Sequence, residues 1–476
     1  MAKKQISRRK RKRKPKTRVT THVPLCALGK VIEEKQVFAP IYNRVRIDQK
    51  AIDYRPTDKL IFATLGIIAG AETINDVNIV LRPNRALLAA FGYTACADQS
   101  VIQQTINVAT SANVSQLECA ILEIWQLNNR IGLLTPNETQ KQPVTIDIDL
   151  SPLPISKHAQ GSLKGYVAKR KNLYTRQMAR VLVPQTQEIV TQSLYSGNTL
   201  SCSVFKEMIA KMEPILQLDT KAKRQQICLR LDAGFGTTQN INFVLWRGYQ
   251  LLVKMYSGNR AKKLAKSVKQ WVAVKSGADN TPREAGWVTA PHRYGKKTVQ
   301  VAVRTPKKKG GYSYSVLVTT HFQMSLRQIV TDYDGRSGVP ESTFCQDYQG
   351  LCMRKQKKKR FVGQQILMLL SQLAHNLCVW TKSWLIDALQ NSLLSGEQAP
   401  KHQEARQIAA VIATIESRGI KRFLRQVLHL SGKVVFFDKK VVAIVLNPLY
   451  PLIDRIKKAF EIFLAPYEIT VSLAKT

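Results

Sequence analysis

The chain has 476 residues, 44 % of them hydrophobic, and carries 73 Lys+Arg against 32 Asp+Glu for a formal net charge of +41. That length supports a large core in two or three domains, and charge this one-sided fits a polyanionic partner, nucleic acid ahead of an anionic membrane. Apolar stretches such as Leu60–Ala71 fall far short of a bilayer span. No adequate apolar segment follows the basic N-terminus to make a signal peptide. Eight cysteines with no Cys-x-x-Cys pair argue against a zinc ribbon or a disulfide framework and fit a reducing cytoplasm.

Met1–Arg18 is a basic tail with no acidic residue before Glu33. Its like charges repel, which predicts a segment disordered until it meets phosphate. From about Tyr54 to Leu133 apolar residues recur at helical spacing, in Asp58–Ala71, Arg85–Phe91 and Val114–Leu127, with breaks such as Arg82-Pro-Asn between them. This compact helical module is either a DNA-docking domain or a scaffold that touches no bases.

Val144–Ser151 then alternates strictly, with Val144, Ile146, Ile148 and Leu150 on one face and Thr145, Asp147, Asp149 and Ser151 on the other. A second apolar run, Ile227–Leu231, leads into Asp232-Ala-Gly-Phe-Gly and a helical pattern at Asn240–Arg247. The strand–turn–helix order predicts an α/β layer with Asp232 at a strand's carboxyl end, where open sheets place their ligands. Thr298–Arg304 and Tyr312–Val318 alternate on either side of Pro306-Lys-Lys-Lys-Gly-Gly, a β-hairpin with Lys307, Lys308 and Lys309 at its tip. Glu341 opens a helix-like stretch. Beyond it lie a second basic run, Lys357, Lys358, Lys359 and Arg360, a long apolar helix at Gln364–Leu389, and a mixed C-terminal part with strands near 433–437 and 441–446.

Acids facing a polyanion repel it unless a divalent cation lies between. Asp149, Asp232 and Glu341 therefore point to metal-assisted phosphoryl chemistry, in which two Mg²⁺ ions about 3.5–4 Å apart serve the attacking and departing oxygens. Mg²⁺ takes carboxylate and water oxygens, so three converging acids suffice. On pattern alone the case stays open, because any two strand-end aspartates and one helical glutamate look alike.

The order of motifs adds to it. Asp149-Leu-Ser, Leu229-Arg-Leu-Asp232-Ala-Gly-Phe-Gly, Asn240–Tyr249, Tyr333-Asp-Gly-Arg336 with Glu341, and Leu373–Trp380 resemble, in sequence order, the elements of bacterial insertion-sequence DDE transposases with a Tyr-Arg-Glu-Lys signature. The resemblance implies an α/β fold: an RNase H-like catalytic core interrupted by a β-rich insertion, with an N-terminal helical domain and a basic arm. On that scheme residues 1–22 are a disordered arm, 23–138 the helical DNA-binding domain, 139–260 and 323–395 the two parts of the core, 261–322 the insertion, and 396–476 a C-terminal α/β region. It further implies that Asp149, Asp232 and Glu341 hold two Mg²⁺, with Mn²⁺ able to substitute. Tyr333 and Arg336 would grip DNA phosphates, helped by Lys307–Lys309 and Lys357–Arg360. The function implied is cleavage at the element's ends and strand transfer into target DNA by a homodimer on double-stranded DNA, in the bacterial cytoplasm on the nucleoid and away from membranes. The rival is a non-catalytic DNA-binding protein or an inactive transposase. Trp271 and Trp287 lie where some relatives stack a flipped base, but core packing is the expectation for both.

The chain departs from the signature twice. Four residues, Ser337–Pro340, separate Arg336 from Glu341 where the family keeps three, and Tyr348 stands at the lysine position. A proline before the acid fits if Glu341 lies in a first helical turn. Asp147 shares a strand face with Asp149 and competes with it as first ligand; the serine two residues after Asp149 restores the family spacing. His158 and His375 have no Cys or acidic partner at metal-ligand spacing, and His375 is expected as a hydrogen-bonded interior histidine.

Overall fold

A computed structural model describes residues 15–50, 53–134, 143–165, 167, 172–275, 281–338, 340–394 and 402–475, without the side chains of 337–338, 340–342 and 402. The strands are β1 (Lys16–Thr20), β2 (Val144–Pro154), β3 (Leu163–Lys164), β4 (Tyr174–Val183), β5 (Glu188–Ser196), β6 (Ile227–Leu231) and β7 (Gln250–Lys254). They continue as β8 (Val272–Val274), β9 (Arg283–Trp287), β10 (Val299–Pro306), β11 (Tyr312–Thr319), β12 (Gly432–Phe437), β13 (Lys440–Leu446) and β14 (Thr470–Leu473). The chain folds as two compact units. Residues 1–43, 49–105 and 380–476 make the first, and 44–48 with 106–379 make the second.

The first unit joins the N-terminal helices to the C-terminal part, which the sequence had treated as separate regions. Its sheet runs β1-β12-β13-β14. Lys16–Thr20, expected to belong to a disordered arm, instead form an edge strand antiparallel to β12. The reason is local: Lys-Thr-Arg-Val-Thr contains β-branched residues that suit a pleated edge, and pairing satisfies backbone groups that charge repulsion alone would leave to water. The helix Ser111–Asn128, assigned from sequence to the N-terminal module, falls in the second unit.

The second unit is built on a ten-stranded mixed sheet ordered β3-β4-β2-β6-β7-β11-β10-β9-β8, with β5 on the far side of β4. β2 runs antiparallel to β4 and parallel to β6, and β6 runs parallel to β7. All five residues of β6 are buried, as expected of a parallel strand covered on both faces. The hairpin legible in the sequence is β10–β11, and β11 pairs with β7, so β8–β11 extend the same sheet. No helix among the described residues is long and apolar enough to cross a membrane.

Candidate active site

Three parallel strands run side by side, and each delivers a charged residue, β2 from its middle and β6 and β7 at or just past their ends. In the β2–β6 register Ile148 pairs with Leu231, so Asp149 and Asp232 are the next residues along. Leu231 pairs with Val253 in β7, so Lys254 follows on the third strand. The turn after β6 is strapped to the end of β7 by a hydrogen bond from the Tyr256 amide to the Gly236 carbonyl, 3.0 Å. A Cβ at Gly236 would lie 2.0 Å from the Lys254 carbonyl oxygen, so only glycine permits this approach. The next helix, Thr238–Arg247, is capped by the Thr237 side chain accepting from the Asn240 amide, and it stops at Gly248 with φ +94°. The Phe235 amide, 3.3 Å from Asp232 Oδ1, orients that carboxylate.

Arg336 projects from the helix Leu326–Gly338 onto this acidic edge. Its Nη2 donates to Asp149 Oδ1 at 3.2 Å and lies 3.6 Å from Asp232 Oδ2. One guanidinium thus serves two carboxylates, and its Nε is buried without a partner. Burial, with Asp232 adding repulsion, pushes the Asp149 carboxyl up to about 6 despite the Arg336 charge. Burial likewise draws the Lys254 ammonium below its ordinary value, opposed by the nearby Asp232 charge.

Asp147 faces a different environment. It is 1 % exposed and takes both arms of Arg230, Nε to Oδ1 at 2.8 Å and Nη2 to Oδ2 at 2.7 Å. That bidentate pair occupies its acceptors within the sheet, which leaves Asp149 as the β2 acid that faces Asp232.

Glu341 is the second residue of the helix Pro340–Gly350, in its first turn as the proline before it requires; its side chain lies outside the described residues. The rest of that helix is firmly placed. Asp347 Oδ2 accepts from Arg180 Nη2 at 2.6 Å, and Asp347 Oδ1 lies 2.7 Å from His375 Nδ1, with all three side chains 1 % exposed. His375 is therefore interior and hydrogen-bonded, as expected, but it has an acidic partner that the sequence reading missed. Tyr348, at the signature lysine position, is half-buried, with its hydroxyl 2.9 Å from Ser151 Oγ and its ring 6.0 Å from Phe344.

The residues expected to contact phosphate divide. Lys307, Lys308 and Lys309 are exposed at the hairpin tip, and Lys357, Lys359 and Arg360 are exposed as well. Lys358 is buried, which corrects its expected role. Its amide donates to Gln364 Oε1 at 2.9 Å and its carbonyl accepts from Arg176 Nη1 at 2.9 Å, which turns the side chain inward. Burial there pulls its ammonium down to about 8. Arg336 is 6 % exposed and engaged with the carboxylates rather than standing at the surface. Tyr333 is half-buried against the cluster around Ile329 and Val330, and burial raises its hydroxyl pKa. Both tryptophans are expected in the core, yet Trp271 is only half-buried, under the Arg304 guanidinium at 4.4 Å, and Trp287 is 40 % exposed.

Two carboxylates of adjacent strands converging on one cation provide hard oxygen donors suited to a divalent ion. Among the described residues no group of three or more His, Cys, Asp or Glu forms a metal cluster. Comparison with known families gives a match to the description "Transposase DDE domain group 1" over residues 35–395, and the chain belongs to that family. No curated protein sequence matches the chain. Among solved structures, a cryo-EM structure of a piggyBac transposase synaptic complex with hairpin DNA is similar at 14 % identity and a TM-score of 0.39, with 86 % of each chain covered.

Proposed function

We propose that this transposase-family chain cuts DNA at the ends of a mobile element and joins the freed ends to target DNA, with Asp149, Asp232 and Glu341 as the catalytic acids. The observation that carries the reading is the pair of acids on adjacent strands, Asp149 within β2 and Asp232 just after β6, sharing the Arg336 guanidinium. An RNase H-like core is supported by the strand order β5-β4-β2-β6-β7, with β4 antiparallel and β6 parallel to β2. The β8–β11 segment between Asp232 and Glu341 fits the β-rich insertion.

Two divalent ions, Mg²⁺ or Mn²⁺, would be held by the three acids and would supply Lewis-acid stabilisation to the attacking and departing oxygens. The chain's own groups do the rest. The Phe235 amide fixes the Asp232 carboxylate. Lys254, beside Asp232, offers a cation to the phosphate charge that builds up during displacement. Arg336 keeps the two aspartates together and can turn to phosphate once another cation engages them. Lys307–Lys309, Lys357, Lys359 and Arg360 would neutralise the DNA backbone. Two ends must be handled together, so a homodimer on double-stranded DNA is the working assembly.

The test is cleavage of DNA carrying the gene's own flanking sequence, with Mg²⁺ or Mn²⁺, by wild type, Asp232→Asn and Glu341→Gln. Metal-dependent cuts at the flanks that both variants lack support the reading. Tight binding without cleavage by wild type overturns it in favour of an inactive, DNA-binding relative, with the extra residue before Glu341 and Tyr348 at the signature lysine position as first suspects.

A further inference from the structure

We propose that Asp347, His375, Arg180 and Tyr348 are positioning residues that lock the Glu341 helix against the strand bearing Asp149. The inference rests on the reading of those two acids as metal ligands. Asp149 and Asp232 have their places set by paired strands. Glu341 sits in the first turn of a separate helix, so its place is only as good as that helix's anchorage.

The anchorage is made in one register. Arg180 is the cross-strand partner of Asp149 in the β2–β4 pairing, and its guanidinium reaches the middle of the helix. There it donates to Asp347 and lies 4.1 Å from the centre of the Phe344 ring, while its Nε donates to Gln192 Oε1 at 3.0 Å. From the other side, His375 of the helix Phe361–Leu394 meets Asp347 through Nδ1 and the Gln187 carbonyl through Nε2, at 2.8 Å. His375 thus bridges the Asp347 carboxylate and the Gln187 carbonyl, and the ring cannot rotate without losing one of these contacts. One helical residue further on, Tyr348 ties to Ser151, two positions beyond Asp149. Phe344 and Met353 complete the contact by packing with Leu153, Met178, Leu194 and Met368.

Apolar packing alone would let a helix slide by a fraction of a turn. A buried carboxylate held by two different donors fits in one place, because removing either partner leaves a charge without compensation. Mg²⁺ demands near-ideal octahedral geometry, and a misplacement of about 1 Å at a reacting centre costs roughly a hundredfold in rate. The cluster thus sets an acid nearly two turns earlier in the helix, although Asp347, His375 and Arg180 are themselves too buried to touch DNA or metal. It also gives Tyr348 a role: the side chain at the signature lysine position serves as a tie to β2.

The test uses the full-length chain with Fe²⁺ and peroxide in place of Mg²⁺, so that hydroxyl radicals cut the polypeptide near the bound ion. Asp347→Asn and His375→Gln are compared with Phe344→Leu, which changes packing in the same helix but no charge. Wild type should be cut near residues 149, 232 and 341. Asp347→Asn should keep the first two cuts and lose the third, bind end DNA as wild type does, and lose about a hundredfold in Mg²⁺-supported cleavage, with a smaller loss in Mn²⁺. If Asp347→Asn does not fold, His375→Gln, which retains the Arg180 pair, is read in the same way. Retention of the cut near 341 at wild-type relative intensity overturns the proposal. So does an equal loss of all three cuts that tracks the folded fraction and matches Phe344→Leu. Absence of cuts near 149 and 232 in wild type defeats the metal reading itself, a result distinct from either, and the positioning role falls with it.

Discussion

Two pairs of acids in the second unit are built on opposite principles. Asp147 and Asp347 are interior and individually matched: the first takes both arms of Arg230, and the second lies between Arg180 and His375. Asp149, within β2, and Asp232, just past β6, share one guanidinium at 3.2 and 3.6 Å. A carboxylate with a full set of matched donors gains nothing from another cation and holds the fold together. A pair that shares one donor keeps acceptor capacity, and its electrostatics improve when a divalent ion arrives. Burial does not separate the two kinds, since Asp149 is itself only 15 % exposed. The ratio of cation to carboxylate does.

The contrast breaks most sharply at Asp149 and Asp232. Asp149→Asn and Asp232→Asn should each abolish metal-dependent DNA cleavage, by roughly a thousandfold or more, because each removes a ligand from a two-ion site. Their thermal midpoints should hold or rise, since each substitution relieves repulsion between neighbouring acids. A melting scan alongside a cleavage time course checks both halves. A variant that loses activity only as it loses folded protein would place these acids with the structural pair.

Asp147→Asn should do the reverse. It leaves Arg230 buried with an uncompensated charge, which costs about 3–5 kcal/mol when one partner of such a pair is removed. Urea unfolding measures that loss, while Mn²⁺ binding per folded molecule stays at the wild-type level. If Asp147→Asn instead loses Mn²⁺ binding at unchanged stability, the two β2 acids exchange roles.

Titration gives a third separation. The folded pKa of Asp149, about 6, lies above its ordinary carboxylate value. A carboxyl raised in this way holds its proton more tightly folded than unfolded. Its protonated form therefore favours the native state at low pH, and that contribution is lost as pH rises from about 4 to about 6. The Asp149→Asn variant should show a flatter dependence of stability on pH across that window. Metal binding runs the other way, because a ligand must be deprotonated: Mn²⁺ affinity should fall about tenfold per pH unit below 6 in wild type. A profile that stays level down to pH 4.5 would remove Asp149 from the ligand set.

Much of this arrangement is legible along the chain, and the illegible part has a common cause. β2, β6 and the β10–β11 hairpin declare themselves by alternation or by unbroken apolar runs, because a strand's environment repeats every two residues. The turn after Asp232 shows through its glycines. The pairing of Asp147 with Arg230 and of Asp347 with Arg180 depends on which strands and helices meet, and nothing local encodes that. Asp347 left one signal that could have been read. It falls between two apolar residues at helical spacing, Phe344 in the helix and Leu351 just past its end, where an acid is costly unless it is paired. Lys358 failed for the opposite reason. A run of four cations reads as one solvated patch, yet Gln364 and Arg176 fix its backbone and turn that one side chain inward.

The same distinction between matched and unmatched charge gives the smallest effect, on DNA affinity. Lys307, Lys308 and Lys309 are exposed at a tip shaped by Gly310 and Gly311, with φ +83° and +74°, whereas Lys358 is packed inside the unit. If the tip contacts phosphate, each lysine releases about one counterion on binding. Changing all three to glutamine should then flatten the dependence of log affinity on log salt by about 2–3. Lys358→Gln should leave that slope unchanged, although it alters a buried position and so affects stability more than the tip variants do. Fluorescence anisotropy of end DNA between about 50 and 200 mM salt resolves the difference. Equal slopes for the triple variant and wild type would leave the exposed tip without a phosphate partner and shift the search to Lys357, Lys359 and Arg360.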